Sequence, residues 1–566
     1  EGAGGRPPLD CRARSLTAAS AACRFRQMSI GYAINRAALQ GADLGPRNSL
    51  GKRDTIQAPV GGWNTADAWA SMKPKYAIQI DNYFPESGAV VLRRGSRVSA
   101  TGAGTDYVQT LIPHQSGSVS RLYAVGGGQI WNVTNPSQVS TLAAESVKDG
   151  SYASDRWRFA HFAGSTIMVN GEDPPERIQP DGTMAADHNW TKASGQDGLP
   201  FSASNLSQVL PFKGRLFFLQ KDTANLWYGD LGAIQGDLTR FALDRVNADG
   251  GNAIGLGTIT IDSGEGVDDL LCIFFDNGSV LVYQGTDITS SSDWDLVGLW
   301  KIGRLIGDKA LTKFGGDLVA MTTDGYIPVT RLLQTGRVAH SSEIANLSSK
   351  IANTVTEKAA LHGDTVGWDC VLHTNSNWLL FNVPAFGGEQ HVMNTQTGAW
   401  CRFVGMDARC WAQWKDRLFF GGPGGSVLEA NVGTNDNGNP IEGDVRGAFQ
   451  YLGTAMDKRF TLARALIDSD ADVTFTIGTV TDFNEEGGLE APSSLRTGGA
   501  EWDEAEWGDD DDPGSDWAGG TFSLQEWQAL NRDGTAISVR LRSSTSGARM
   551  RYFATDIISE TTHALL

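Results

Sequence analysis

A strand–turn–strand unit that keeps returning is the strongest constraint this chain places on its own fold. From about Tyr107 to Val432 a short apolar strand meets a turn of Gly, Asn or Asp, and a second strand follows carrying an aromatic. RLYAVGGGQIWNV (Arg121–Val133) is the first clear copy and STIMVNGEDPPERI (Ser165–Ile178) a degenerate one. Further copies are Gly214–Asp230, Leu270–Gly285, Gly315–Val329, Asn377–Trp400 and Asp416–Ala430. With Leu122, Ile167, Leu216, Leu271, Leu318, Leu379 and Leu418 as registers, the steps are 45, 49, 55, 47, 61 and 39 residues. Blade-type repeats run at roughly 40–50 residues. The DNG, TDG and GG turns supply the positive φ that tight hairpins need. One such hairpin cannot bury its apolar face alone; a ring of them can, and it leaves only short edges. The expected fold is all-β: a β-propeller of six to eight blades over residues 106–433. The near-regular spacing favours this ring over a two-sheet sandwich with long insertions, and the copies are too degenerate to fix the blade count.

The flanks read differently. After Gly433 a loop leads to long strand-like text (Phe449–Phe483), then to the stretch EWDEAEWGDDDDPGSDWAGGTF, and finally to an alternating apolar and Arg/Ser strand near the end. Such alternation marks a strand with one wet face. Residues 434–566 are therefore expected to form an appended C-terminal β-rich domain with an acidic, Trp-bearing loop at 500–518. Residues 53–105 read as a strand segment leading into the propeller, and 1–52 as an extension or arm. Within the arm, residues 1–27 are Arg-rich, interrupted by Pro and Gly, and lack an apolar h-region, so they are no secretory signal. They fit either an extension upstream of the natural product or a flexible basic arm.

Composition excludes several function classes. Lys and Arg number 47 against 65 Asp and Glu, a net charge of −18. That balance argues against gripping nucleic acid by neutralising phosphates. It suits a wall past which DNA slides, since carboxylates repel phosphate. The six cysteines include no C-x-x-C pair, which argues against zinc. Buried free thiols are the expectation. No run of 18 apolar residues spans a membrane. Asp468-Ser-Asp470-Ala-Asp472 imitates the start of a calcium loop, but Val473 stands where Gly is needed and Thr479 where a bidentate Glu belongs. There is no H-E-x-x-H, G-x-S-x-G or G-x-x-x-x-G-K. His161, His373 and His391 sit in strand-like text and read as core or rim residues. Carboxylates are plentiful and none stands out, so a glycosidase pair stays open on sequence alone. The expectation is no catalytic residue, no metal and no cofactor.

The stretch Gly61–Gly95 is chemically bland and distinctive. It runs from a Gly61-Gly62 turn through Lys73-Pro74 into Tyr76–Ile80, past Asp81-Asn82 to an aromatic corner (Tyr83, Phe84, Pro85), a Glu86-Ser87-Gly88 turn and a second strand. It reads as a strand–corner–strand entry into the repeats. Its string of Gly61, Gly62, Asn64, Thr65 and Asp67, then Met72, Pro74 and Ala77, then Asp81, Asn82, Phe84 and Pro85, then Leu92, Arg93 and Gly95, resembles the tail nozzle proteins of short-tailed bacteriophages. These are also called tail tubular protein B or packaged-DNA-stabilisation proteins. The C-terminal layout is similar too: a strand from Lys458-Arg459-Phe460, a W-D-x-A-x-W-G string at Trp502–Gly508, and a closing strand pair at Val539–Leu541 and Tyr552–Ile557. The Asp509–Asp512 insertion and the His563-Ala-Leu-Leu ending depart from the family pattern.

The resemblance implies a structural virion protein of the tail: a propeller with a nozzle domain, six copies around a channel for the genome. Its implied partners are further copies of itself in a homohexameric ring, a tail adaptor, tail fibres or spikes, and genomic DNA passing without sequence-specific binding. It also gives the acidity a use. Glu501, Asp503, Glu504, Glu506, Asp509, Asp510, Asp511, Asp512 and Asp516 are candidates to line the channel. The rival expectation is a polysaccharide-acting or carbohydrate-binding propeller.

Overall fold

The structure is a computed structural model that describes residues 51–186, 188–196, 200–262, 267–335, 346–471, 473–484, 493–495, 522–523 and 527–561. Among these residues, seven units of three or four antiparallel strands follow one another along the chain from Thr110 to Ala430, all in sheets of three to five strands except the sixth, which is one end of a ten-stranded sheet. Each is a blade. The seven register residues chosen above all fall on the second strand of a different blade, from Val119–Gly126 in blade 1 to Arg417–Gly421 in blade 7.

Successive first strands lie side by side, from Arg158–Phe162 in blade 2 through Leu206–Phe212 and Ala253–Asp262 to Cys410–Trp414 in blade 7, which packs back on Thr110–Ser116 of blade 1. Blades 1 and 2 are joined by His114 Nδ1 to Thr166 Oγ1 at 2.8 Å, and by the Trp157 N–H donating to Thr110 Oγ1 at 3.0 Å. The ring is closed by an N-terminal strand. Ser96–Thr101 pairs antiparallel with Val427–Ala430, so blade 7 is completed from the far side of the repeat region. The fold is a β-propeller, and the expected six to eight blades resolve to seven.

The second strands read as apolar runs because both their faces are buried. Leu216 and Phe218 face the cluster shared with blade 2, while Phe217 and Leu219 face the cluster shared with blade 4. Alternation with period two thus places neighbouring residues in neighbouring inter-blade cores. The turns carry their own constraint. At Gly278 of the DNG turn φ is +81°, and a Cβ there would meet the Ile302 carbonyl oxygen at 2.1 Å.

Beyond the ring, two sheets share one core with blades 4–7. The first continues blade 6: outward from Trp400–Val404 come Gly62–Trp63, Tyr76–Asp81, Ile441–Gly447, Ile537–Thr545 and Val473–Thr481. The second centres on Lys458–Ser469 and Met550–Thr561, and takes in Lys52–Gln57, Ala89–Leu92 and Tyr83–Glu86. The C-terminal β-rich part therefore shares a sheet with the propeller instead of hanging from it. The segment 53–105 divides. Ser96–Thr101 enters blade 7, Gly62–Trp63 and Tyr76–Asp81 link blade 6 to Ile441–Gly447, and Lys52–Gln57 and Ala89–Leu92 pair with Met550–Thr561. The Val539–Leu541 and Tyr552–Ile557 strands close opposite sheets and do not pair with each other.

Candidate functional site

Every acid proposed to line a channel, from Glu501 to Asp516, lies outside the described residues, as do Trp502, Trp507 and Trp517. Trp527 is described, half-buried, with the Arg464 guanidinium 4.7 Å above its ring. Of the imitation calcium loop, Asp470 accepts the Arg549 N–H at 2.6 Å, and Asp472 is outside the described residues.

The bland Gly61–Gly95 stretch turns out to be a joint. Asn64 turns the chain, its Oδ1 accepting the N–H groups of Ala66 and Asp67 at 3.1 Å each. Asp67 then receives Lys350 Nζ at 3.1 Å, next to the helix Ala352–His362. Asp81 takes Arg402 of blade 6 in a two-pronged pair at 2.7 Å for each bond. Asn82, in the left-handed region at φ 58°, accepts Arg93 Nε and the Val404 N–H at 2.9 Å each, and donates to the Glu442 carbonyl at 2.8 Å. The Arg93 side chain is wholly buried and pairs with Asp436 at 2.5 Å. A Cβ on Gly95 would sit 1.8 Å from the Asn435 carbonyl oxygen, so this close crossing needs glycine. The motif thus ties blade 6, the loop after blade 7 and the C-terminal sheets together. Reading it as an entry to the repeats captured its strands but not its partners, which lie hundreds of residues away.

Behind this joint runs a buried polar chain. Lys358 Nζ donates to Glu389 at 2.6 Å, Glu389 meets His391 Nε2 at 3.1 Å, and His391 Nδ1 meets the Tyr326 hydroxyl at 2.8 Å. Burial works against the Glu389 charge, but the His391 and Lys358 bonds outweigh it and hold the carboxyl at about 2. Burial pulls the His391 imidazole below its usual range, with Glu389 opposing. His373 is also buried, and His161 stands at the rim with Nδ1 2.9 Å from Thr166 Oγ1. Cys272, Cys370, Cys401 and Cys410 are free and buried, and burial pushes each thiol up.

The clearest concavity lies where first strands and inter-blade loops converge. An outer chamber of about 330 Å³ is lined from blades 1, 2 and 4–7, and an inner one of about 240 Å³ shares Arg158, Leu305, Asp308 and Lys309 with it. Asp308 accepts from Arg156 at 2.9 Å and pairs with Arg158 at 3.1 Å. Asp369 accepts the Cys370 and Trp411 N–H groups at 2.9 Å each and lies 3.7 Å from Lys309 Nζ. Burial raises the Asp369 carboxyl above the usual range, against Lys309. Both carboxylates are thus engaged, and the neighbouring Cys370 thiol donates to the Lys309 carbonyl. Composition gave no hint of this cluster, because its charges come one or two at a time from separate blades.

No family model and no curated protein matches the chain. Among solved structures it is similar to a computationally designed protein, Ika8, at 12% identity and a TM-score of 0.33, covering 62% of this chain and 96% of that one. It is similar to the extracellular domain of a hybrid two-component system from B. thetaiotaomicron at 10% identity and a TM-score of 0.37, over 60% of this chain and 41% of that one. It is also similar to YCF48 bound to D1 peptide at 11% identity and a TM-score of 0.32, over 64% and 99% of the two chains. Likeness at this level carries no function across, and the seven-bladed arrangement stands on the strand pairing of this chain itself.

Proposed function

We propose that this chain is a structural subunit of the tail nozzle of a short-tailed bacteriophage, forming the distal part of the tail channel that retains packaged DNA and conducts it during ejection. The observation that carries this reading is the fate of the residues behind the resemblance. Asp67, Asp81, Asn82 and Arg93 are all engaged in joints between the propeller and the C-terminal sheets. Polar residues used to fix one part of a molecule against another suit a load-bearing segment of a particle, not a catalyst.

In this reading six copies form a closed ring through a repeated heterologous contact. The ring docks on a tail adaptor and carries or contacts fibres or spikes. Glu501 to Asp516 line the channel and keep DNA moving by repulsion. The rival, a carbohydrate-binding or polysaccharide-acting propeller, gains no support from the described tryptophans, all of which are buried or half-buried and offer no open platform. Electron microscopy of purified particles tests the proposal. The expected result is sixfold density for this chain at the distal end of the tail. Its absence from the particle overturns the reading, and a ring with every one of these acids on its outer surface overturns the channel assignment.

A further inference from the structure

In a chain with a net charge of −18, the cavity at the converging first strands is cationic. Arg156, Arg158, Arg304, Arg409 and Lys309 line the outer chamber against three carboxylates, Asp276, Asp308 and Asp364; the inner chamber adds Asp369. The carboxylates are already committed. Asp276 accepts the backbone and side-chain N–H groups of Asn252 at 3.0 Å each. Asp308 serves two guanidiniums at once. Asp369 is held by two backbone N–H groups. Asp364 is almost fully exposed, 3.6 Å from Arg304.

Arg158 is likewise spent, on Asp308 and the Trp157 carbonyl, but three cations keep donors in hand. Arg156 donates to Asp308 through Nη1 at 2.9 Å and has its other guanidinium N–H groups to offer. Lys309 Nζ is largely buried, and its nearest carboxylate oxygen is 3.7 Å away, beyond hydrogen-bond reach. Arg409 donates through Nη1 to the carbonyls of Val366 at 3.2 Å and Pro384 at 3.5 Å, over the Tyr107 ring at 4.6 Å, with no carboxylate partner. Trp157, wholly buried on the wall of the inner chamber, has an indole N–H without a partner. Part-buried cations with spare, forked donors match an oxyanion that accepts several bonds at once. A volume of about 330 Å³ suits a small molecule.

We propose that this cavity is a binding site for a small phosphate-type dianion, either inorganic phosphate or a phosphomonoester, held by Lys309, Arg409 and Arg156. The site goes beyond the nozzle reading and stands whether or not that reading holds.

Calorimetric titration of the full chain with inorganic phosphate and with phenyl phosphate, at matched ionic strength in chloride, tests it. Saturable binding of one or both per chain is expected, and phenyl phosphate binding more tightly than phosphate assigns the ester body to the inner chamber. Arg409→Gln and Arg156→Gln should each weaken binding by about tenfold or more, the loss of a charge-assisted hydrogen bond. Arg94→Gln, at an arginine outside the cavity, should change nothing. Thermal midpoints of the variants check that the fold is intact, and the part-exposed Arg156 is the safer of the two. No saturable binding of either ligand overturns the proposal. So does binding that survives both cavity variants unchanged.

Discussion

The propeller ring and the joint beside it are held by opposite means. Between blades the contacts are mainly apolar: Leu216 and Phe217 point to different inter-blade cores, with only a few hydrogen bonds such as His114 to Thr166 beside them. At the joint and in the sheet next to it the contacts are charged and largely buried: Arg93 with Asp436, Arg402 with Asp81, and Asp556 with Arg464. Apolar packing tolerates exchange among residues of similar volume. A buried ion pair does not, because removing one partner strands the other's charge. The ring is therefore a repeating, forgiving structure, and the joint is a singular, exacting one.

The sharpest way to break this contrast is at Arg93. Arg93→Leu should cost about 3–5 kcal/mol, leaving the Asp436 charge without its cation and Asn82 with one donor fewer. Denaturant unfolding reads the loss, and adding Asp436→Leu should recover part of it. A double variant no better than the single would mean that packing, not charge, holds the joint. In the ring, Leu271→Ala should cost about 2–5 kcal/mol as a cavity between blades 3 and 4, whereas Leu271→Met should cost less than about 1.5 kcal/mol. Equal losses from both would show the ring to be as exacting as the joint.

Acid should strain the joint side through the Lys358–Glu389–His391 chain. Folded Glu389 sits at about 2 against an ordinary 4.5, so its stabilisation is present above 4.5 and is lost as pH falls toward 2. Folded His391 is also held below its ordinary 6.5, so the unfolded chain takes up that proton first and stability already declines as pH drops below 6.5. Glu389→Gln should flatten the lower part of this profile, measured as thermal midpoint against pH. The smallest effect belongs to the ring's outer surface. Lys301 and Asp249 are more than half exposed, so Lys301→Ala should shift stability by about 0.5 kcal/mol or less.

This division also explains what could be read from the sequence. Second strands buried on both faces spell themselves out as apolar runs bounded by Gly turns, and all seven register residues land on them. The blade count stayed open because blades 2 and 5 have only three strands each and blade 7 borrows one from before the repeats. The joint was invisible because Arg93 and Asp436 are 343 residues apart and Asp81 and Arg402 are 321 apart. Nothing local announces such a pair. The cationic cavity was equally hidden, since blade geometry alone brings its charges together. The acidic stretch was the one feature of the candidate site that composition made conspicuous, and it lies outside the described residues.

The borrowed strand sets a timetable for synthesis. Ser96–Thr101 leaves the ribosome early, carrying Arg97, whose partner Glu429 belongs to the strand Val427–Ala430. At about 5–20 residues per second, that partner emerges roughly 15–65 seconds later. Throughout that interval the early strand has an unpaired edge of the kind that invites pairing with other chains. Only when the last blade is finished does the circle lock, so a nascent chain cut just before residue 427 carries six blades and two strands of the seventh, and lacks the strand that pairs with Ser96–Thr101.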